Sequence, residues 1–512
     1  MDEPNRVTAR NRALEELAGR SFDLLVIGGG IVGAGIANEA ARAGLAVALV
    51  ERADFASETS GASSKLIHGG LRYLRLGDLR LVREAHAERR ALMGIVAPHL
   101  VRPLRFLLPL YERGPYRPAT VRAGLFVYSK LAGEPAGGLL SPEQARASVP
   151  ALRLHGLRAC GAYTDASTHD GRLCLANVRA ARSQGATVAN YVEAIELRIV
   201  RGRVAGGEVR DVLSGETASV RARTVVNATG PWVDRVRRLE DPNARAACRL
   251  SKGVHVLVSL DAPWSAALTI PHDAVRVSFA LPWEGTLLLG TTDTLFDGEP
   301  GDAVATAADV DAVLAEAAVA LDGALLRRDR VVATFAGLRV LPGARGDTAR
   351  SRRETLFLRG PAGMLSIAGG KLTTYRRIAL SALATLRSEL GLRGLESAPV
   401  PLPGAADPRA VASRLALLRP ELDERTRTHL ARLYGADAEA LVALADGDGD
   451  LLEPLHPAGP DIAAQAVYAR TDELACTADD VLWRRTTLAH RGLATADVVA
   501  RVEALLATAV AH

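Results

Sequence analysis

The sequence contains few groups that could build a covalent or metal-based framework. Its 512 residues include four cysteines, at positions 160, 174, 248 and 476, and no CxxC pair. Cysteines scattered in this way predict neither a disulfide framework nor a zinc site. We therefore expect no bound metal and a reducing compartment, for which the cytoplasm is the simplest assignment.

Long apolar runs are missing as well. The first 20 residues are polar and lack the apolar stretch and small-residue cleavage site of a signal peptide. No segment reaches the roughly 18 uninterrupted apolar residues that a spanning helix needs. The sequence thus predicts a protein that is neither secreted nor membrane-spanning.

Aromatic residues, net charge and lysine are all scarce. Aromatic residues make up 4% of the chain and the net charge is +5, with no basic cluster interleaved with aromatic residues. Nucleic acid is therefore not an expected partner. Four of the 63 basic residues are lysines. These positions are candidates for places that require a compact ammonium group rather than a planar guanidinium: Lys65, Lys130, Lys252 and Lys371.

Apolar residues, at 48%, are sufficient for a large core, and the length predicts two or three domains. The segment 396–408 holds four prolines and is the best linker candidate. It separates a long first region, residues 1–395, from a predominantly helical C-terminal domain, residues 409–512.

The N-terminal region has the pattern of a βαβ unit. A short apolar run at 22–27 predicts a buried parallel strand, and the alanine-rich stretch 31–44 predicts a helix. A second apolar run at 46–50 ends directly before an acidic residue. Strand, glycine turn, helix and strand predict a Rossmann-like unit.

The glycine turn and the acidic residue suit a dinucleotide. Gly28 permits the tight turn, Gly30 allows backbone to approach a pyrophosphate, and Gly33 allows helix and strand to pack closely. The helix N-terminus favours phosphate, and Glu51 can accept hydrogen bonds from a ribose diol.

Two further glycine-ended strands favour FAD over NAD as the dinucleotide. They occur far downstream, at 227–230 and 368–371. Such dispersion suits an extended FAD that several distant segments contact. A helix that begins after Gly369 and Gly370 could direct its N-terminus, together with Lys371, at the flavin and favour its anionic reduced form.

The segment 60–73, SGASSKLIHGGLRY, is the most distinctive of the chain. Together with the glycine turn, it closely resembles the FAD-dependent glycerol-3-phosphate dehydrogenases of the respiratory type. Further stretches match that family in the same order: 227–232, 251–255, 290–293, 337–339, 369–376 and 480–486.

The resemblance implies a Rossmann-like FAD-binding domain with an inserted antiparallel-sheet substrate domain and a C-terminal helical domain, the insertions lying roughly at 75–160 and 245–340. It implies non-covalent FAD and hydride transfer from C2 of glycerol 3-phosphate to the flavin, which yields dihydroxyacetone phosphate. Electrons then pass to a membrane quinone. The family's enzymes lie on the inner face of the cytoplasmic membrane without crossing it, commonly as homodimers.

The resemblance also assigns roles to individual residues. His255 is the candidate base for the hydroxyl proton, although a histidine packed in a strand is the competing interpretation. The substrate phosphate calls for fixed cations, for which Arg72, Arg339, Arg352 and Lys371 are the family-matched candidates. Arg339 and Lys371 are also placed among the catalytic residues.

A larger set is expected to line the flavin. Helix capping is the alternative role for its serines. Besides the glycine turn and Glu51, the set comprises Ser60, Ser63, Ser64, Lys65, His68, Ala228, Gly230, Trp232, Asp293, Gly369, Gly370, Lys371, Leu372 and Thr373.

Two positions depart from the family. Val340 follows Arg339 where the family usually has proline, and Gly61 stands where another small polar residue is frequent. The first departure could shift the loop that places Arg339, and it bears on the substrate rather than on the flavin. The alternatives are a glycerol-3-phosphate oxidase that uses oxygen, another flavin-dependent amine or alcohol oxidoreductase, and a non-catalytic flavin-binding protein.

Overall fold

The computed structural model describes residues 9–71, 78–135, 137–273, 276–343 and 355–509. Its strands, in chain order, are β1 (Ser21–Ile27), β2 (Val47–Val50), β3 (Leu66–Ile67), β4 (Val101–Tyr111), β5 (Gly138–Leu140), β6 (Leu157–Thr168), β7 (Thr187–Ala189), β8 (Val192–Val200), β9 (Arg203–Asp211), β10 (Thr217–Asn227), β11 (Cys248–Ser259), β12 (Ala267–Pro271), β13 (Val277–Trp283), β14 (Thr286–Gly290), β15 (Thr294–Phe296), β16 (Val331–Pro342), β17 (Leu356–Arg359) and β18 (Leu365–Ala368).

The helices of the described residues alternate with these strands and then dominate the C-terminal part. They are α1 (Ala9–Gly19), α2 (Ile31–Arg42), α3 (Leu79–Ala91), α4 (Pro118–Ala132), α5 (Pro142–Ser148), α6 (Asp170–Ser183), α7 (Val233–Glu240), α8 (Ala307–Ala317), α9 (Tyr375–Thr385), α10 (Arg387–Leu390), α11 (Pro408–Leu418), α12 (Glu424–Tyr434), α13 (Asp437–Ala443), α14 (Ala464–Thr471), α15 (Ala478–Asp480) and α16 (Ala496–Thr508).

The first sheet is the predicted Rossmann-like sheet. Its central order is β17-β18-β10-β1-β2-β7, with β8 and β9 continuing from β10. Strands β18, β10, β1, β2 and β7 are parallel. All four residues of β2 are buried, as expected for a parallel strand covered on both faces. Helix α2 packs against both α6 and α9.

The second sheet is larger and almost entirely antiparallel. Its order is β15-β11-β14-β13-β12-β4-β6-β3, with β16 paired to β11 and β5 to β6. The β12–β4 pair is parallel. The hairpin β13–β14 turns at Glu284 and Gly285. This sheet comes from two stretches of chain that interrupt the first one, which confirms the predicted fold class.

The C-terminal part is helical from α11 onwards. Its apolar side chains form two clusters of their own, one around α11–α13 and one around α14–α16. Among the described residues, no helix combines the length and the apolar character that crossing a membrane requires.

Candidate active site

A cavity of about 1060 Å³ lies where the carboxyl ends of the parallel strands face the antiparallel sheet. Its size and elongated lining suit a dinucleotide with a small substrate beside it. It brings together most of the residues singled out in the sequence: Gly28, Gly30, Glu51, Ser60, Ser63, Ser64, His68, Ala228, Gly230, Trp232, His255, Arg339, Gly369, Gly370, Lys371, Leu372 and Thr373.

The glycine turn is shaped by close backbone contacts. Gly28 has a φ of +109°, and a Cβ there would lie 2.6 Å from the carbonyl oxygen of Ala228. Gly33 does not line the cavity, but a Cβ on it would lie 1.9 Å from the carbonyl oxygen of Gly28. Gly33 therefore allows α2 to pack against the turn, as its position in the motif predicts.

The N-terminus of α2 opens into the cavity. No side chain caps it through Gly30, while the N–H of Ile31 donates to Ser60 Oγ at 2.9 Å. Ser60 thus lies directly at the phosphate-favouring end of the helix. A backbone without side chains at Gly28 and Gly30, together with this helix end, fits the pyrophosphate of FAD.

Glu51 is oriented by backbone donors. The N–H of Gly29 donates to its Oε2 at 2.7 Å and the N–H of Ala53 donates to its Oε1 at 2.9 Å. Each carboxylate oxygen can accept a second hydrogen bond, so both remain able to take a ribose hydroxyl. Burial raises the pKa of Glu51, although these two donors oppose the shift. The arrangement fits the ribose of FAD.

The other end of the cavity is formed by the segment after β18. Gly369 and Gly370 have φ values of +80° and +106°, which favour glycine. A turn of 3-10 helix at Leu372–Thr374 then leads into α9. The N–H of His68 donates to Thr373 Oγ1 at 3.2 Å and so joins the two segments that the sequence assigned to the flavin ring.

His255 lies on β11 with its ring flat against neighbouring strands. Gly290 is opposite it on β14, and a Cβ there would lie 2.5 Å from His255 Cδ2. Phe335 stacks on the ring with centroids 4.9 Å apart, and Nε2 lies 2.9 Å from Ser64 Oγ. Burial, followed by the charges of Arg339 and Lys65, holds the pKa of His255 well below its usual value. The imidazole is therefore neutral near pH 7 and can accept a proton.

Arg339 lies on β16 and crosses the face of Gly253. Its Nη1 donates to the carbonyl of Thr292 at 3.0 Å, and its Nη2 donates to Thr291 Oγ1 at 2.8 Å. A Cβ on Gly253 would lie 2.4 Å from Arg339 Nη2. The guanidinium is thus fixed in place at the cavity wall, beside His255 on the adjacent strand.

Lys65, which the sequence assigns to the flavin lining, makes its contacts inside the protein. The residue adopts a left-handed φ of 57° and its side chain is 1% exposed. Its Nζ donates to Asp170 Oδ1 at 2.6 Å, and it lies outside the lining of the cavity. A buried ammonium group paired in this way is already occupied and does not reach a pyrophosphate.

Asp293, also assigned to the flavin set, is not among the residues that line the cavity. It accepts a hydrogen bond from Ser251 Oγ and lies 3.5 Å from Arg339 Nη1. Its carboxylate therefore neutralises and supports the arginine rather than lining the cavity. Arg72 and Arg352, two of the predicted phosphate ligands, lie outside the described residues.

Two residues in and around the site were missed from the sequence. Arg52 lies over the Trp232 ring at 4.2 Å from its centroid, and both line the cavity. Its place directly after Glu51 was the available signal. Asp170, the partner of Lys65, had no such signal because 105 residues separate the two. Among the described residues, no group of His, Cys, Asp and Glu side chains is placed to hold a metal ion.

Two family models match the chain. The model described as FAD dependent oxidoreductase matches residues 23–376. The model described as C-terminal domain of alpha-glycerophosphate oxidase matches residues 396–511. The first match begins within β1 and the second extends past the end of α16, with residues 377–395 between them.

Named relatives and a solved structure agree with these models. The glycerol-3-phosphate dehydrogenase of Mycobacterium leprae (strain TN) is 39% identical over 508 residues, covering 97% of this chain and 86% of the relative. The aerobic glycerol-3-phosphate dehydrogenase of Staphylococcus saprophyticus is 33% identical, covering 93% of this chain and 88% of the relative. The crystal structure of the glycerol-3-phosphate dehydrogenase from Bacillus halodurans complexed with FAD has a TM-score of 0.77 and 30% identity, covering 98% of both chains.

Proposed function

Because the chain belongs to the FAD-dependent glycerol-3-phosphate dehydrogenase family, we propose that it oxidises sn-glycerol 3-phosphate to dihydroxyacetone phosphate and passes the electrons to a quinone. FAD is the cofactor. The observation that carries the proposal is the shared cavity: His255, Arg339 and Lys371 line the same space as the glycine turn. Base, cations and cofactor-binding backbone therefore open into one cavity.

FAD, when bound, supplies the hydride acceptor for this oxidation. His255 supplies the proton acceptor, because its buried imidazole is neutral near pH 7. In the tautomer with an unprotonated Nε2, the single lone pair of this atom accepts from Ser64 Oγ–H, which orients the ring before substrate binds. When the substrate binds, its C2 hydroxyl replaces Ser64 as the donor, and Nε2 accepts the hydroxyl proton.

The phosphate of the substrate is assigned to Arg339 and Lys371. A phosphate dianion is best held by a planar guanidinium with fixed orientation, and Thr291 and Thr292 fix that of Arg339. Asp293 lies on the same guanidinium, which keeps it in one position. Arg72 and Arg352 remain candidates for the same role from their positions in the family motifs.

Anaerobic addition of glycerol 3-phosphate to the purified protein tests the substrate. We expect the visible absorption band of the oxidised flavin to bleach, because the reductive half-reaction needs no second substrate. Unphosphorylated glycerol at the same concentration is the matched control and should leave the band unchanged. A flavin band that glycerol 3-phosphate does not bleach would contradict the substrate and leave the cofactor assignment intact.

The electron acceptor is tested separately under turnover. We expect a water-soluble quinone analogue to support rapid reoxidation, and air-saturated buffer alone to give slow turnover with little hydrogen peroxide. A peroxide yield equal to the substrate consumed, at a rate that the quinone does not raise, would instead identify the oxidase alternative.

We propose the remaining assignments on the same family basis. The FAD-dependent region is residues 1–395 with substrate-domain insertions roughly at 75–160 and 245–340, the linker is 396–408, and the helical domain is 409–512. The protein is a cytoplasmic homodimer that contacts the inner face of the membrane peripherally. Fractionation of cells before and after a high-salt wash tests the attachment, and recovery entirely in the cytosol before any wash contradicts it.

A further inference from the structure

Two adjacent arginines of the C-terminal domain reach into the first βαβ unit. They lie in the π-helical segment Val481–Arg485, directly after α15. Arg485 Nη2 donates to Asp54 Oδ1 at 2.9 Å, while Arg485 Nη1 and Arg484 Nε both donate to Asp54 Oδ2. The side chains of Arg485 and Asp54 are 0% and 1% exposed. A fully buried ion pair thus joins residues 431 positions apart in the chain.

Arg485 is held rigidly within its own domain. Its Nη2 also donates to the carbonyl of Glu473 at 2.8 Å, and its Nη1 donates to the carbonyl of Asp480 at 3.3 Å. The guanidinium therefore has a fixed position, and its hydrogen bonds hold the Asp54 carboxylate against it. Burial alone would raise the pKa of Asp54, but the charges and hydrogen bonds of Arg485 and Arg484 lower it to about 2. Asp54 is consequently an anion at every physiological pH.

Asp54 ends the turn that carries Glu51. Between them, the N–H of Ala53 donates to Glu51 Oε1 at 2.9 Å, and the carbonyl of Ala53 accepts from the N–H of Tyr191 at 2.8 Å. Asn190 Nδ2 donates to Asp54 Oδ1 at 3.1 Å. A displacement of Asp54 therefore moves the Ala53 N–H, which is one of the two donors that orient the Glu51 carboxylate.

Neither Asp54 nor Arg485 lines the cavity, whereas Glu51 does. Their contact cannot be a direct cofactor contact, and its effect has to pass through the turn. We propose that Arg485 is a positioning residue through which the C-terminal domain fixes the 51–54 turn and thereby sets the affinity for FAD. The inference rests on the proposed role of Glu51 as acceptor of the ribose hydroxyls.

The test measures FAD binding rather than turnover. Full-length Arg485→Met is stripped of flavin, and the dissociation constant is determined by titrating the apoprotein with FAD and following flavin fluorescence. We expect the dissociation constant to rise about tenfold or more, because a misoriented Glu51 loses a hydrogen bond made by a charged group. The thermal unfolding midpoint of each apoprotein is measured in parallel.

Arg179→Met is the matched control at the same domain boundary. Arg179 Nη1 donates to Asp437 Oδ2 at 2.5 Å and its Nη2 donates to the Tyr468 hydroxyl at 2.7 Å, and the residue lies outside the cavity lining. We expect this variant to lower the unfolding midpoint without changing the dissociation constant. An equal rise in both variants would mean general loosening of the domain boundary and would overturn the proposal.

Two conservative variants keep the test decisive if Arg485→Met fails to fold. Arg485→Lys and Asp54→Asn retain most of the packing, and each should raise the dissociation constant. If Arg485→Lys and Asp54→Asn fold and their dissociation constants for FAD are unchanged, the positioning role is overturned. Glu51→Gln is the companion measurement. If Arg485→Met raises the dissociation constant for FAD but Glu51→Gln leaves it unchanged, the effect of Arg485 does not pass through Glu51. Anaerobic reduction by glycerol 3-phosphate tests the proposed function independently of all these constants.

Discussion

Replacing His255 with alanine is expected to leave a folded, FAD-loaded protein whose turnover number falls by about 10²- to 10⁴-fold, the usual contribution of a positioned general base. The imidazole is the group whose Nε2 takes the hydroxyl proton, and the Ser64 hydroxyl that remains is too weak a base to replace it. Steady-state kinetics with a quinone analogue, normalised to the flavin content of each preparation, gives the measurement.

His272→Ala is the control for removing a partly buried histidine, one that directly follows β12 of the same sheet. His272 bonds to Ser278 Oγ and lies outside the cavity lining, so turnover should be unchanged. The pH profile gives a second check. A base must be unprotonated, and burial lowers the pKa of His255, so the acidic limb of kcat/KM should lie well below 6.5. Turnover retained in His255→Ala contradicts the assignment, whereas an acidic limb at the ordinary histidine value contradicts only the lowered pKa.

Replacing Arg339 with alanine is expected to raise KM for glycerol 3-phosphate by about 100-fold, with a smaller fall in kcat. A rise of this size in KM corresponds to the loss of one or two charge-assisted hydrogen bonds to the phosphate. Thr291 and Thr292 hold the guanidinium at the cavity wall, and alanine leaves no donor at this point of the wall. Initial rates over a wide range of substrate concentration measure the effect.

Arg330→Ala provides the matched arginine control. Arg330 directly precedes β16, pairs with Asp261 on the surface and lies outside the cavity lining. Its removal should leave KM unchanged. Arg339→Lys should recover only part of the affinity, because an ammonium group cannot reproduce the planar, two-point contact. Normal saturation of Arg339→Ala with glycerol 3-phosphate would place the phosphate elsewhere in the cavity.

The part of the fold that could be predicted from sequence lies in short, contiguous patterns. Strand β1, the glycine turn, α2 and β2 follow one another within 30 residues, 21–50, so local hydrophobicity and glycine spacing define them. The same holds for the β13–β14 hairpin. The resemblance to the family then supplied the order of the remaining segments, and the family itself is confirmed.

The part that could not be predicted depends on which strands become neighbours. Ser64 and His255 are 191 residues apart in the chain, and only the tertiary fold brings the segment before β3 next to β11. Lys65 stood in a flavin-binding motif, yet its left-handed backbone directs the ammonium group to Asp170. A motif position therefore indicates which segment reaches a site, whereas the backbone angle of each residue decides which side chain faces it.

Only two of the four lysine side chains are placed to react readily with an amine-directed reagent. Lys65 is buried against Asp170 and Lys252 is paired with Asp309, whereas Lys130 is exposed and Lys371 lines the cavity. An acylating reagent applied to the folded protein therefore meets one surface side-chain amine and one at the candidate active site. Intact-mass spectrometry with and without FAD can then report cavity occupancy directly, since protection of Lys371 would appear as the loss of a single adduct.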